Sequence, residues 1–169
     1  MPPHKEILAD GVETPVGLTT DRFVIRELTV DVSELDFRAW MSSLDHLRGI
    51  FGPLSSWPRA DMTLGQNNID LAWHQSEFGS RSSFAYTVFD ATNTVCVGCV
   101  YLYPPRKVGF DIDVYYWVSA DEAARGGDQA LGEVVRVWVI DEWPFANPVY
   151  PGRSLPWPEY LALPDREHW

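Results

Sequence analysis

The sequence is short of positive charge. Against 24 Asp and Glu it has 13 Lys and Arg in 169 residues, a formal charge of −11. A general nucleic-acid binder needs the opposite balance, because backbone phosphates repel an acidic surface, so no nucleic-acid partner is expected. Cysteine is scarce too. Cys96 and Cys99 share one apolar run, 95–102, and near neighbours on one strand are poor disulfide partners. A redox C-x-x-C pair normally opens a helix, where the dipole lowers a thiol pKa, and this one does not. The four histidines, His4, His46, His74 and His168, lack ligand spacing, so no metal is expected. No apolar run reaches the roughly 18 residues that would argue for a membrane span. The opening MPPHKEILAD lacks the apolar stretch of a signal peptide, so the expectation is a cytoplasmic protein with no membrane contact. Neither a phosphate-binding G-x-x-x-x-G-K-[ST] loop nor a G-x-S-x-G nucleophile elbow occurs.

What is abundant is aromatic: eight Trp, eight Phe and seven Tyr. These imply a thick core, an aromatic cleft, or both. The length suits one domain. Residues 1–20 read as irregular, 21–150 as the folded domain and 151–169 as a proline-rich tail.

Periodicity sets the element order. Residues 23–28 read as a strand, 33–41 as a helix capped by Asp31 or Ser33, and 44–51 as a second helical piece. Asp61 is a candidate N-cap for a helix to about residue 78, with Leu64, Leu71 and Phe78 on a stripe and Trp73 and His74 near it. Three strand candidates follow at 84–89, 95–103 and 110–118, an antiparallel meander. In the last, Phe110, Ile112, Val114, Tyr116 and Val118 alternate with Asp111, Asp113, Tyr115 and Trp117, an apolar face against a face of carboxylates and rings. After a loop at 119–128, Leu131, Val134, Val135, Trp138 and Val139 match the helical repeat over 129–142, which Pro144 ends. Residues 149–150 read as a short edge strand.

Tyr115-Tyr116-Trp117-Val118 followed by Ala124-Arg125-Gly126-Gly127-Asp128-Gln129-Ala130-Leu131 resembles the GNAT family of acyl-CoA-dependent N-acetyltransferases, closest to the branch that acetylates protein N-termini and small amines. The resemblance spans about 23–150. It implies an α+β (α/β) fold, a central, mostly antiparallel sheet flanked by helices, and acetyl-CoA as co-substrate. The backbone of Trp117 and Val118 would meet the pantetheine arm. Arg125, Gly126, Gly127, Asp128, Gln129 and Ala130 would form the pyrophosphate loop, where small residues let amides close on an anion at a helix start. Asp128 stands where the family's motif usually has glycine. It also reads as a helix N-cap. The family continues with a further helix and two strands, on the order of 35 residues by usual element lengths. Here 27 follow Glu142, so the sheet reads as shortened, and neither Tyr150 nor Tyr160 matches the family's tyrosine acid by position.

For the chemistry, Asp111 and Asp113 are the candidate bases, on the strand face where the family often places one, with His74 as a second candidate. The acceptor implied is a small amine or peptide N-terminus. The other reading is an inactive binding or assembly module of the same fold, with Trp57, Trp73, Trp117 and Trp157 lining its surface. A shortened sheet leaves an edge that a homodimer would cover.

Overall fold

The structure, a computed structural model, describes residues 5–167, so His4 and His168 lie outside it. Six strands form one sheet in chain order: β1 (Gly17–Thr19), β2 (Phe23–Glu27), β3 (Phe84–Asp90), β4 (Cys96–Tyr103), β5 (Ile112–Val118) and β6 (Pro148–Val149). Neighbours run antiparallel except β5 and β6, which are parallel. Between β2 and β3 lie α1 (Ser33–Met41), α2 (Leu44–Leu47) and α3 (Leu64–Gly79). After β5 come α4 (Ala120–Ala124) and α5 (Gly127–Glu142), and after β6 comes α6 (Trp157–Ala162).

Each face of the sheet carries a core. The even residues of β5, from Ile112 to Val118, face α5 and pack with Leu131, Val135, Trp138 and Val139. Gly132 admits β5 here, because a Cβ on it would meet the Tyr116 hydroxyl at 2.4 Å. The odd face, Tyr115 and Trp117, packs with Leu28, Trp40, Leu47 and Leu71 beneath α1 and α3. Covered on both faces, β5 is buried throughout. The face of carboxylates and rings is therefore interior, and Asp113 is fully buried.

Several boundaries differ from the sequence expectation. Thr63, not Asp61, caps α3. Its hydroxyl accepts from Gln66 N while its own N–H donates to the Gln66 side chain, a reciprocal pair that satisfies two helix-start groups. The Asp61 carboxylate is taken by Arg59. The piece at 44–51 is helical only over Leu44–Leu47, and the loop at 119–128 contains α4, capped by Ser119. Strand β5 begins at Ile112, so Asp111 lies outside it.

The segment 151–167 is not a loose tail. It folds back along β5 and is fastened at four points. Arg153 reaches Asp128 and the Tyr116 carbonyl, Trp157 stacks on Tyr115, Tyr160 bonds Asp113, and Lys107 Nζ donates to Leu161 O, Leu163 O and Asp165. Lys107 is buried, so it caps the end of α6 as an internal cation.

Candidate functional site

Two hollows flank β5. The first is a cavity of about 340 Å³ under α1 and α3, on the odd face of the sheet. Its walls are the rings of Trp40, Phe51, Trp57, Tyr101, Tyr103 and Tyr115. The rings touch one another, with Phe51 5.2 Å from Tyr101 and 5.3 Å from Tyr115, and Trp40 5.7 Å from Trp57. The sequence order explains the belt. Alternation puts Tyr101, Tyr103 and Tyr115 on one face of adjacent strands, and α1 and the loop before α3 lay Trp40 and Trp57 over them.

Two buried carboxylates line this cavity, with different partners. Asp36, on α1, has a donor on each oxygen: Asn67 Nδ2 donates to Oδ2 (3.0 Å) and Cys99 Sγ to Oδ1 (3.3 Å). Asn67 is itself fixed by Trp40 Nε1. Burial pushes Asp36 up to about 6, against the pull of its hydrogen bonds. Asp113, on β5, accepts at Oδ2 from the Tyr160 hydroxyl (2.5 Å) and from Arg106 N (3.4 Å). Its Oδ1 is buried without a hydrogen-bond partner. Burial also lifts Asp113 to about 6, opposed by the Tyr160 bond and by Arg106. Burial and Asp113 together push the Tyr160 hydroxyl far up, so it is a firm donor. His74 lines the same cavity with Nδ1 unbonded, and burial lowers its pKa, so the ring is neutral near pH 7.

The second hollow lies at the outer edge of β5. Strand β6 pairs with it only at Ile112 and Asp113, so the edge beyond separates from the chain that follows β6. A hollow of about 270 Å³ there is lined by Trp117, Val118, Asp128, Arg153 and Trp157 among others. The start of α5 closes its end. Gly126 is in the left-handed region (φ 80°), and the amides of Gly127, Asp128 and Gln129 precede the first α5 bond, Ala130 N to Gly126 O. Asp128 is therefore in the first turn and is not the cap. Its carboxylate is held by Arg153, Nη1 to Oδ2 at 2.9 Å and Nη2 to Oδ1 at 3.0 Å. Arg153 also donates to Tyr116 O (2.8 Å) and lies 3.6 Å from the centre of the Tyr116 ring.

The fold recurs in solved structures. The chain superposes on the ribosomal-protein-S5-alanine acetyltransferase from Vibrio fischeri with TM-score 0.58 and 16% identity, covering 75% of this chain and 68% of that one. It superposes on the Salmonella typhimurium acetyl transferase that modifies the N-terminal serine of L7/L12 with TM-score 0.54 and 11% identity, covering 75% and 67%. The fold is that of the GNAT acetyltransferases. A ribosomal L7/L12 alpha-N-protein acetyltransferase in complex with coenzyme A has the same GNAT fold, with TM-score 0.56, 12% identity and coverage of 74% and 66%. No protein-family model and no curated protein matches the sequence.

On this GNAT fold the expected cofactor residues separate. Trp117, Val118 and Asp128 line the edge hollow, and Gly126 and Gly127 shape the helix start. Arg125 is turned away onto Glu122 (2.6 Å), which also takes Arg22. Burial raises the Glu122 pKa, but the bonds from Arg125 and Arg22 outweigh it and hold the carboxylate below its ordinary range. Gln129 bonds Glu133, and Ala130 packs on the α5 core. Of the candidate bases, Asp113 and His74 meet in the aromatic cavity. Asp111 instead accepts from Ala146 N and Asn147 N, anchoring the approach to β6. Trp73 is half exposed and does not line the cavity. Tyr160, set aside on position, stands on the helix after β6 with its hydroxyl on Asp113. The sequence reasoning also missed Arg153 and Asp36. No metal-binding group of His, Cys, Asp and Glu occurs among the described residues, and no helix there is long and apolar enough to cross a membrane.

The edge hollow brings Asp128 at the α5 start beside Trp117 and Val118 at the end of β5, and Arg153 already takes the Tyr116 carbonyl on that edge. In charge it is balanced, because Arg153 neutralises Asp128.

Proposed function

We propose that the protein is an acyl-CoA-dependent N-acetyltransferase that acetylates a small amine or a peptide N-terminus. Asp113 carries this reading. It lines the aromatic cavity, with Oδ1 buried and without a hydrogen-bond partner, on the strand whose end lines the edge hollow at Trp117 and Val118. Structures of the same fold are named for amine acceptors, an L7/L12 N-terminal serine and spermidine, which supports an amine-type acceptor here.

Acetyl-CoA would supply the acetyl group, activated as a thioester. The α5 start with Gly126 and Gly127, and the β5 edge at Trp117 and Val118, would hold it. The chain's own residues do the rest. Asp113 receives the ammonium through Oδ1 and takes the proton the nitrogen loses. A carboxylate lifted to about 6 is a better base at neutral pH than an ordinary one. Tyr160 holds Oδ2 and leaves Oδ1 without a donor. The ring walls exclude water and strengthen the carboxylate's pull on a cation.

The Arg153–Asp128 pair favours a second reading, a GNAT-fold binding module that has lost acetyl-CoA. Calorimetric titration separates the two. Saturable acetyl-CoA binding below millimolar concentration supports the transferase, and no heat at several millimolar leaves the binding module.

A further inference from the structure

The two hollows beside β5 are divided by a wall of rings, and no described residue lines both. Tyr115 lines the cavity and Trp157 the edge hollow, and the two rings stack with centres 6.3 Å apart and planes 20° apart. Trp57 lines the cavity and Trp117 the hollow, with centres 5.9 Å apart. We propose that Trp157 sets the length of the acyl group: its indole closes the edge hollow on the side of the cavity, so the donor site takes an acetyl group and refuses longer chains. This rests on the reading of the edge hollow as the acyl-CoA site, and deepens it.

The chain builds a seat for this indole. Trp157 is the first residue of α6, between Pro156 and Pro158, whose rings fix the backbone on either side. Two glycines from distant loops meet it. Gly52, before α3, and Gly152, after β6, are both in the left-handed region, with φ of 108° and 77°. A Cβ on Gly52 would stand 3.2 Å from Cη2 and Cζ3 of the indole, and one on Gly152 would stand 2.2 Å from Nε1. Backbone therefore clasps the indole at both of its rings. The turn that carries Gly152 is closed on itself, by Gly152 N to Leu155 O (2.8 Å) and Arg153 N to Tyr150 O (3.0 Å). One turn along α6, Tyr160 meets the indole edge-on at 5.6 Å and is itself held on Asp113. The ring is a fitted part of the wall, not a free-swinging side chain.

The direction of the donor follows from the two ends of the hollow. Its phosphates lie at the α5 start, by Asp128 and Arg153, so its acyl end faces the wall shared with the cavity. Reacting nitrogen and carbonyl carbon have to come within roughly 3–3.5 Å of each other. The carbonyl then stands at the rim of the Tyr115–Trp157 stack. A methyl group beyond it is accommodated there, but each further methylene runs against the clasped indole, and overpacking a fitted contact is unfavourable. The hollow, about 270 Å³, is small for a ligand pocket and leaves little room for a chain to fold back. Behind the wall lies the ring-lined cavity of about 340 Å³. Taking the indole away would join the two spaces and give an alkyl chain an apolar place to enter.

The test is calorimetric titration of coenzyme A, acetyl-CoA, butyryl-CoA and hexanoyl-CoA, without amine, into the unaltered protein, Trp157→Ala and Trp157→Phe. In the unaltered protein hexanoyl-CoA is expected to bind at least tenfold weaker than acetyl-CoA, with butyryl-CoA between them. Trp157→Ala should reverse the order, hexanoyl-CoA binding at least fivefold tighter than acetyl-CoA, and Trp157→Phe should keep a weakened form of the original order. Coenzyme A, which has no acyl group, should bind within threefold in all three proteins, a result that general damage to α6 would not give. The series on the unaltered protein decides the question even if Trp157→Ala does not fold. Affinity that is flat or rises with chain length in the unaltered protein, or an unchanged order in folded Trp157→Ala, would overturn the proposal. Binding of all four without regard to length would sink this proposal alone, whereas binding of none would sink it together with the donor-site reading.

Discussion

The Arg153–Asp128 pair makes a prediction with a sign. The two groups sit at the start of α5 as a bidentate bridge with contacts of 2.9 and 3.0 Å. For a unit phosphate charge about 5 Å away, the repulsion from Asp128 is ~3 kcal/mol at an effective dielectric near 20 and ~1 kcal/mol in bulk water. Arg153 at a similar distance gives a comparable attraction, so the pair cancels in the unaltered protein. Asp128 has 41% of its side chain exposed, which places the outcome between those limits. Asp128→Asn should therefore tighten acetyl-CoA binding, and Arg153→Ala should weaken it, each by a factor of roughly 4 to 100. Arg153→Ala also removes the bond to Tyr116 O and the contact with its ring, so thermal unfolding is measured alongside to separate a folding defect from a binding effect. Isothermal titration with acetyl-CoA in low salt reads both constants, and the difference should shrink in 0.5 M salt as screening sets in. Shifts of the same sign, or neither beyond twofold, would refute the placement of this pair at the phosphate end of the groove.

Other outcomes follow from the same geometry. Asp36 and Asp113 are raised from 3.8 to about 6, so the folded state binds more protons across that window. Their contribution to stability is full below pH 4 and is lost as pH rises through 6, by up to ~3 kcal/mol each. Urea titrations at pH 7, 6 and 5 should show stability rising as pH falls, and Asp36→Asn should flatten the rise. Tyr160→Phe removes a bond that holds the Asp113 pKa down, so the acid limb of the pH–rate profile should move above about 6; an unmoved limb would contradict the role of Tyr160. Lys107→Met leaves Leu161 O and Leu163 O without their donor and should cost ~2–3 kcal/mol locally. Hydrogen exchange should then quicken over Trp157–Ala162 while β3 and β4 stay protected.

The meander and α5 were legible because each rests on a local rule: alternation in the strands, and the helical repeat from Leu131 to Val139. Asp113 was legible by the same alternation. Its neighbour Asp111 was paired with it by spacing alone, but β5 starts one residue later, and Asp111 serves the turn into β6. The larger miss was the segment after β6. Its prolines read as a tail, because no periodicity survives in six residues of helix. What orders it is long-range: Lys107 from the β4–β5 loop, Tyr115 and Asp113 from β5, and Asp128 from α5. Arg153 carried no local signal either, since its partner lies 25 residues back. Residues 119–128 read as a loop and hid α4, whose Ser119 cap is local but whose buried Glu122 is held by Arg22, a hundred residues away.

The measurement that bears most directly on the account is release of the coenzyme A thiol, followed with a thiol reagent, when the protein is mixed with acetyl-CoA and a panel of small primary amines. The account predicts thiol release that requires the amine, matches N-acetylated product by mass spectrometry, and falls at least a hundredfold in Asp113→Asn. Intact acetyl-CoA in the presence of saturating amine, with both ligands bound, would contradict it.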